Sequence, residues 1–330
     1  MNTNNAATFN TINRGYNQTF QPGKLSLGLV VPIERYENGP LPSMQDHLQK
    51  VQLAESLGFS AVWLRDVPFN VPSFGDAGQV FDPFVYLGYL AAATKDIALG
   101  VSSIILPLRH PAHVAKAAAS ADQLSDGRLI LGVASGDRPE EYPAMNMSFD
   151  DRGERFRESF NYIQAMWETQ PTLQNTHGNI NEDKLNPLDM LPKPVAGRLP
   201  LLITGSSQQS PEWGAQNADG WMTYPRNPVD QMRAISEWKR NVEAAGRAPQ
   251  PVMQPLYIDL VEDDNARPTP IHLGFRTGVN YLREYLQTAE QIGVNHLALN
   301  LRFNRADMDE TLKRLGEEIL PNQNSMQLAS

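Results

Sequence analysis

From Leu25 onward the chain alternates between short apolar runs and longer segments whose apolar residues recur every three or four positions. LSLGLVV (25–31) is short, apolar and closed by Pro32, as a buried strand should be. Beyond it, Ser43 with Asp46 three residues later can cap a helix on which Met44, Leu48, Val51, Ala54 and Leu57 share one face. Gly58 closes that helix, and FSAVWL (59–64) reads as the next strand. The same alternation predicts helices over 83–94, 111–124, 151–169, 211–217, 228–245, 279–292 and 306–319. It predicts strands over 97–101, 129–134, 201–204, 220–224, 252–260 and 294–301.

About eight strand–helix units over roughly 300 residues is the expectation for an α/β fold of the (β/α)8 TIM-barrel class, here one domain over 25–330. An open doubly wound sheet has the same local units. Residues 1–24 read as a partly disordered N-terminal extension. Ala-Glu-x-x-Gly stands before a strand twice, in AESLGFSAVWL (54–64) and AEQIGVNHLAL (289–299), which supports a repeated unit. The segments 65–82, 138–150, 171–199 and 261–278 are longer than ordinary connections. All but 171–199 follow a strand, which in a barrel is the face that carries function.

Charge and composition remove several function classes. The net charge is −9 and the Lys and Arg residues are scattered, so neither a nucleic acid nor an anionic membrane finds a concentrated basic face. There is no cysteine, which excludes disulfides and thiolate chemistry. The polar start MNTNNAATFN is no signal peptide, and no apolar run approaches the roughly 20 residues that cross a bilayer. A soluble cytoplasmic protein is expected. His110 and His113 lack a carboxylate to complete a metal set, and no nucleophile elbow, Walker loop or GxGxxG follows a strand.

The strand ends carry small polar residues instead. Ser102 and Ser103 interrupt the apolar run LGVSSIILPLRHP (99–111), and a buried hydroxyl costs free energy unless it has a partner or serves a ligand. ASGDR (134–138) follows one strand. TGSSQQSPEW (204–213) follows another, with Ser210 as a helix cap, Pro211 at the first helical position, and Gly205, Ser206 and Ser207 offering N–H groups and hydroxyls. That turn is either a phosphate cradle or an ordinary well-capped turn. In RDVPFNVPSFGDAGQVFDPF (65–84), Arg65 and Asp66 either pair with neighbours at the rim or, with Phe69, Phe74, Phe81 and Phe84, wall a pocket for a flat ligand.

Together LGVSSIILPLRHP, AASADQLSDGRLILGVASGD and PLLITGSSQQSPEWGAQNADGWM resemble the bacterial luciferase-like flavin monooxygenases, a likeness running from about Leu25 to Pro321. The resemblance implies a TIM barrel with the flavin at the C-terminal ends of its strands. It implies a bulge with a cis peptide at Ser102–Ser103 beneath the ring. It places Ser135, Gly136, Asp137 and Arg138 against the cofactor and the phosphate on Gly205, Ser206 and Ser207; apart from the resemblance, the commoner barrel phosphate site after the last strands makes Arg276 a weaker candidate. Asp66, Arg65 and Ser103 are the catalytic candidates. Many members carry a histidine at the end of the second strand, where this chain has Trp63-Leu64-Arg65-Asp66-Val67.

The function so implied is an FMN-dependent monooxygenase acting on a small organic substrate. Reduced flavin would come from a separate reductase, and a homodimer is implied by analogy. The alternatives are a deazaflavin (F420)-dependent reductase on the same barrel, a flavin-binding protein without turnover, and a non-redox barrel enzyme for a phosphorylated metabolite.

Overall fold

In a computed structural model, which describes residues 8–39, 41–181 and 187–320, eight parallel strands close into a barrel. They are β1 (Ser26–Val30), β2 (Ala61–Leu64), β3 (Ala98–Ile105), β4 (Leu129–Ala134), β5 (Leu201–Thr204), β6 (Gly220–Met222), β7 (Val252–Leu260) and β8 (His296–Asn300). Each strand pairs with the next, β8 returns to β1, and β6 bonds β7, so no edge remains. Closure decides for the barrel over the open doubly wound sheet.

The helices lie between the strands: α2 (His47–Leu57), α3 (Pro83–Ala93), α4 (Pro111–Leu124), α5 (Glu141–Ala144), α6 (Arg152–Trp167), α7 (Pro211–Asn217), α8 (Pro228–Ala244), α9 (Val279–Gln291) and α10 (Met308–Glu318). The outward faces of the strands and the inner faces of these helices form the larger apolar core. The smaller core fills the barrel itself, where Trp63, Ala61, Ala98, Ile130, Leu202, Met222 and Ala298 meet. Gly100 is required there. A Cβ at that position would lie 2.3 Å from the Trp63 ring. The indole N–H of Trp63 donates to His296 Nε2 at 2.8 Å, and His296 Nδ1 lies 2.7 Å from the Ser26 hydroxyl. Burial pushes the His296 pKa down to about 3, so the ring is neutral and structural.

Three expectations need correction. Residues 8–24, read as part of an extension, contain the short helix α1 (Arg14–Thr19); its Tyr16 and the Phe20 that follows it plug the N-terminal end of the barrel. Residues 1–7 lie outside the described residues. Ser43 does not cap α2; Asp46 stands at the N-cap position in the left-handed conformation without a side-chain capping bond, and Ser43 Oγ instead receives the Gln45 N–H and donates to Glu34. The third strand does not stop at Val101 but runs through both serines to Ile105, with a register shift against β4 between Val101 and Ile104.

The long segments hold added structure. Within 171–199 a small hairpin, Leu173–Asn175 with Gly178–Ile180, lies beside α6, where Asn175 Nδ2 donates to the Glu158 carbonyl. Within 261–278 a second hairpin, Thr269–Ile271 with Gly274–Thr277, extends the sheet along β7 and carries His272 and Leu273 at its tip.

Candidate active site

The C-terminal ends of the strands open onto two adjoining cavities of about 280 and 670 Å³, which share Arg65, Phe74, Ser102 and Tyr224. The smaller one gathers residues far apart in sequence. Arg65 and Asp66 come from the end of β2, Ser102 and Ser103 from β3, Ser135 to Arg138 from the end of β4, and Gly205 and Ser207 from the end of β5. Of the catalytic candidates and the cofactor candidates at the ends of β3, β4 and β5, all line this cavity except Ser206, which stands exposed on the turn beside it. Arg276 is elsewhere, on the second hairpin, paired with Asp259 at 3.1 Å.

The two serines that interrupt β3 are both partnered. Their shared peptide bond is cis. Ser102 Oγ faces the Leu64 carbonyl at 3.5 Å, while Ser103 Oγ hydrogen-bonds the Thr204 hydroxyl across the barrel. Small side chains at this floor leave backbone open to the cavity.

Asp66 is tied on both oxygens. Arg109 donates to Oδ1 at 2.7 Å and to Oδ2 at 2.9 Å, and the Ile105 N–H adds a bond at 3.1 Å. This carboxylate therefore clamps the end of β2 to the end of β3. Arg65 donates to Asp76 at 2.6 Å. Both rim residues pair with neighbours and also face the cavity. Of the four loop phenylalanines, Phe74 alone lines either cavity, beneath the Arg138 guanidinium at 4.5 Å.

The turn after β5 has unspent donors. Gly205, Ser207 and Gln208 all have positive φ, and the N–H groups of Ser206, Ser207 and Gln208 have no intramolecular partner among the described residues. A run of left-handed residues with free N–H groups is an anion-binding concavity. Ser210 caps α7 as its position in sequence suggests, receiving the Trp213 N–H at 3.2 Å. Arg157 of α6 stands beside the turn, its Nε on Gln209 Oε1 at 2.9 Å. This cation was not evident from sequence, because Arg157 is 52 positions from Gln209 and the register of α6 against the turn is a tertiary fact.

Glu141 was also missed. It lies in a loop helix of four residues and is 2 % exposed in the wall of the smaller cavity. Its Oε1 and the nearby Arg138 Nη1, 4.0 Å away, both lack a hydrogen-bond partner. Burial pushes its pKa up to about 7, against the opposing pull of Arg138. Its EEY context in sequence carries no such signal.

The model of one family, described as luciferase-like monooxygenase, matches residues 25–268. The chain belongs to the luciferase-like monooxygenase family. A relative within it, an uncharacterised protein of Mycobacterium tuberculosis, is 31 % identical over 232 residues, covering 66 % of this chain and 80 % of the relative. An F420-dependent hydroxymycolic acid dehydrogenase of the same species is 26 % identical over 239 residues, covering 71 % of this chain and 62 % of the relative. Among solved structures, the monooxygenase RslO1 from Streptomyces bottropensis superposes with a TM-score of 0.74 at 18 % identity, over 90 % of this chain and 99 % of that one. That last likeness shows the same barrel fold.

Among the described residues no helix is long and apolar enough to cross a membrane, and no cluster of three metal-ligating side chains occurs.

Proposed function

We propose that the protein is a flavin-dependent oxidoreductase of monooxygenase type, with FMN in the smaller cavity and a small organic substrate beside it. The observation that carries this reading is the convergence of two features on one cavity. One is a flat floor of small residues at Ser102–Ser103; the other is a turn of free N–H groups at Ser206–Gln208 with a cation beside it. The first suits an extended ring system and the second suits a phosphate dianion.

Ser206, Ser207, Gln208 and Arg157 would hold the phosphate, and Ser135, Gly136, Asp137 and Arg138 would line the path between phosphate and ring. Bound FMN, reduced by a separate reductase, would supply the electrons and the activation of dioxygen. Asp66 acts by position, because both its oxygens are committed to Arg109 and Ile105; it keeps the end of β3 where the ring needs it. Glu141 is the carboxyl suited to hold a proton at neutral pH, at an oxygen with no other partner. The rim aromatics Phe74 and Tyr224 restrict water at the opening.

A second reading is favoured by the F420-dependent relative: the same cavity takes a deazaflavin and the reaction is a hydride transfer without oxygen. Titration of the purified protein with FMN and F420, each oxidised and reduced, separates them. Preferential binding of reduced FMN supports the monooxygenase, binding of F420 alone supports the reductase, and binding of neither overturns both.

A further inference from the structure

The larger cavity at the mouth has a different chemistry from its neighbour. One wall is aromatic: Tyr257 meets His272 at 5.4 Å and Phe303 at 5.6 Å between ring centres, with His272 and Phe303 6.4 Å apart. Such a wall accepts the face or edge of another flat ring. Cations stand beside this wall: the Arg302 guanidinium lies 5.4 Å from the centre of the Phe303 ring, and Arg65 lines the same cavity. Arg65 and Arg302 share one carboxylate, Asp76, at 2.6 and 3.3 Å. Among the described residues lining this cavity, Asp76 is the one acid.

That carboxylate is already saturated, since it also receives the Tyr36 hydroxyl at 3.1 Å and the Gly78 N–H at 2.8 Å. Arg138 adds a third guanidinium, donating to the Asp76 carbonyl at 3.1 Å. Arg65 spends only Nη1 on Asp76, so its Nε and Nη2 have no hydrogen-bond partner among the described residues. Arg302 Nε is buried and unpartnered as well. Arg65, with these unpartnered donors, lines both cavities, while Asp137 and Glu141 stand in the wall of the smaller one only. An anionic ligand would compensate a buried charge that is otherwise costly, and a planar guanidinium edge matches a carboxylate best.

We propose that this cavity is the substrate site, and that it selects a flat organic anion, an arenecarboxylate being the simplest member. The ring packs on Tyr257, His272 and Phe303, and the carboxylate binds the open edge of Arg65. This assignment rests on the reading that the smaller cavity holds the cofactor. It also gives the hairpin tip at His272 a role in closing one side of the substrate site.

Calorimetric titration of the full chain without cofactor tests it, using benzoate, benzyl alcohol and acetate as probes. Benzoate should bind at least about tenfold tighter than its uncharged counterpart or than acetate, and added salt should weaken benzoate alone. Arg65→Gln should abolish the preference for benzoate over benzyl alcohol. His272→Ala and Phe303→Ala should weaken both aromatic probes together, by about three- to tenfold, and leave their ratio intact. Should Arg65→Gln fail to fold, the salt dependence of the unmodified protein carries the same information.

Equal affinity for benzoate and benzyl alcohol overturns the proposal, as does benzoate binding indifferent to His272→Ala and Phe303→Ala. FMN binding without a benzoate preference overturns the anion site alone. A benzoate preference without FMN binding supports the anion site and removes the cofactor reading.

Discussion

Arg128 and Arg138 are two buried arginines, 2 % and 5 % exposed, that follow one another closely in sequence and serve opposite ends of the barrel. Arg128, entering β4, is saturated. Its five donors bond the carbonyls of Ser125, Ile97, Ala91 and Thr94 and the Thr94 hydroxyl, all between 2.8 and 3.1 Å. Arg138, leaving β4, makes one hydrogen bond and leaves Nη1 without a partner. A guanidinium with all five donors matched is a fastener, tying the α3–β3 and α4–β4 connections together at the closed end. One with donors to spare, stacked on Phe74 at a cavity wall, is arranged for something else.

The largest expected effect follows directly. Arg128→Met strands several buried carbonyls at once and should cost about 3–5 kcal/mol of stability in denaturant unfolding. Arg138→Met should cost under about 1 kcal/mol in the same measurement, yet weaken FMN binding about tenfold. Comparable unfolding by both variants would break the comparison.

Next in size is a pH effect at Glu141. Its folded pKa of about 7 lies above its ordinary value of 4.5, so the folded state binds this proton more tightly. The stability it contributes is fully present below about pH 4.5 and is lost as pH rises through 7. Glu141→Gln should therefore gain stability relative to the unmodified protein by about 2–3 kcal/mol between pH 5 and pH 8, read as the difference between their unfolding curves. A difference that does not change with pH would mean that the carboxyl is not held neutral.

Smaller effects sharpen the account of the turn after β5. Arg157→Ala should weaken FMN by about three- to tenfold and leave riboflavin unaffected, since the missing charge matters only to the phosphate. Ser206→Ala should change either affinity by less than about twofold, because its contribution is the backbone N–H.

These contrasts mark how far the sequence could be read. Strands β4, β5 and β7 and helices α4 and α7 match their expected bounds, because apolar period, Pro at the first turn of both helices and Ser210 before α7 are local signals. The strand ends of the candidate site were legible for the same reason: small polar residues after apolar runs stand out. What was not legible depends on distant partners. Ser43 with Asp46 three residues on reads as a cap by spacing, but Ser43 and Met44 bond the distant Glu34 and the helix begins only after Asp46. The charge of Arg157, the isolation of Glu141 and the pairing of Arg65 with Asp76 arise only when separate loops meet. Tyr16 and Phe20 look like residues of a polar tail until the barrel end they fill exists.

The central claim is that a flavin lies on the β3 floor with its phosphate on the turn after β5. Hydrogen exchange on the intact protein, with and without saturating FMN, tests this most directly. Amides in the peptides covering 101–106 and 204–210 should slow together on adding FMN, with those of Ser206, Ser207 and Gln208 affected most. Protection confined to other parts of the chain, or none in either peptide while FMN is bound, would contradict it.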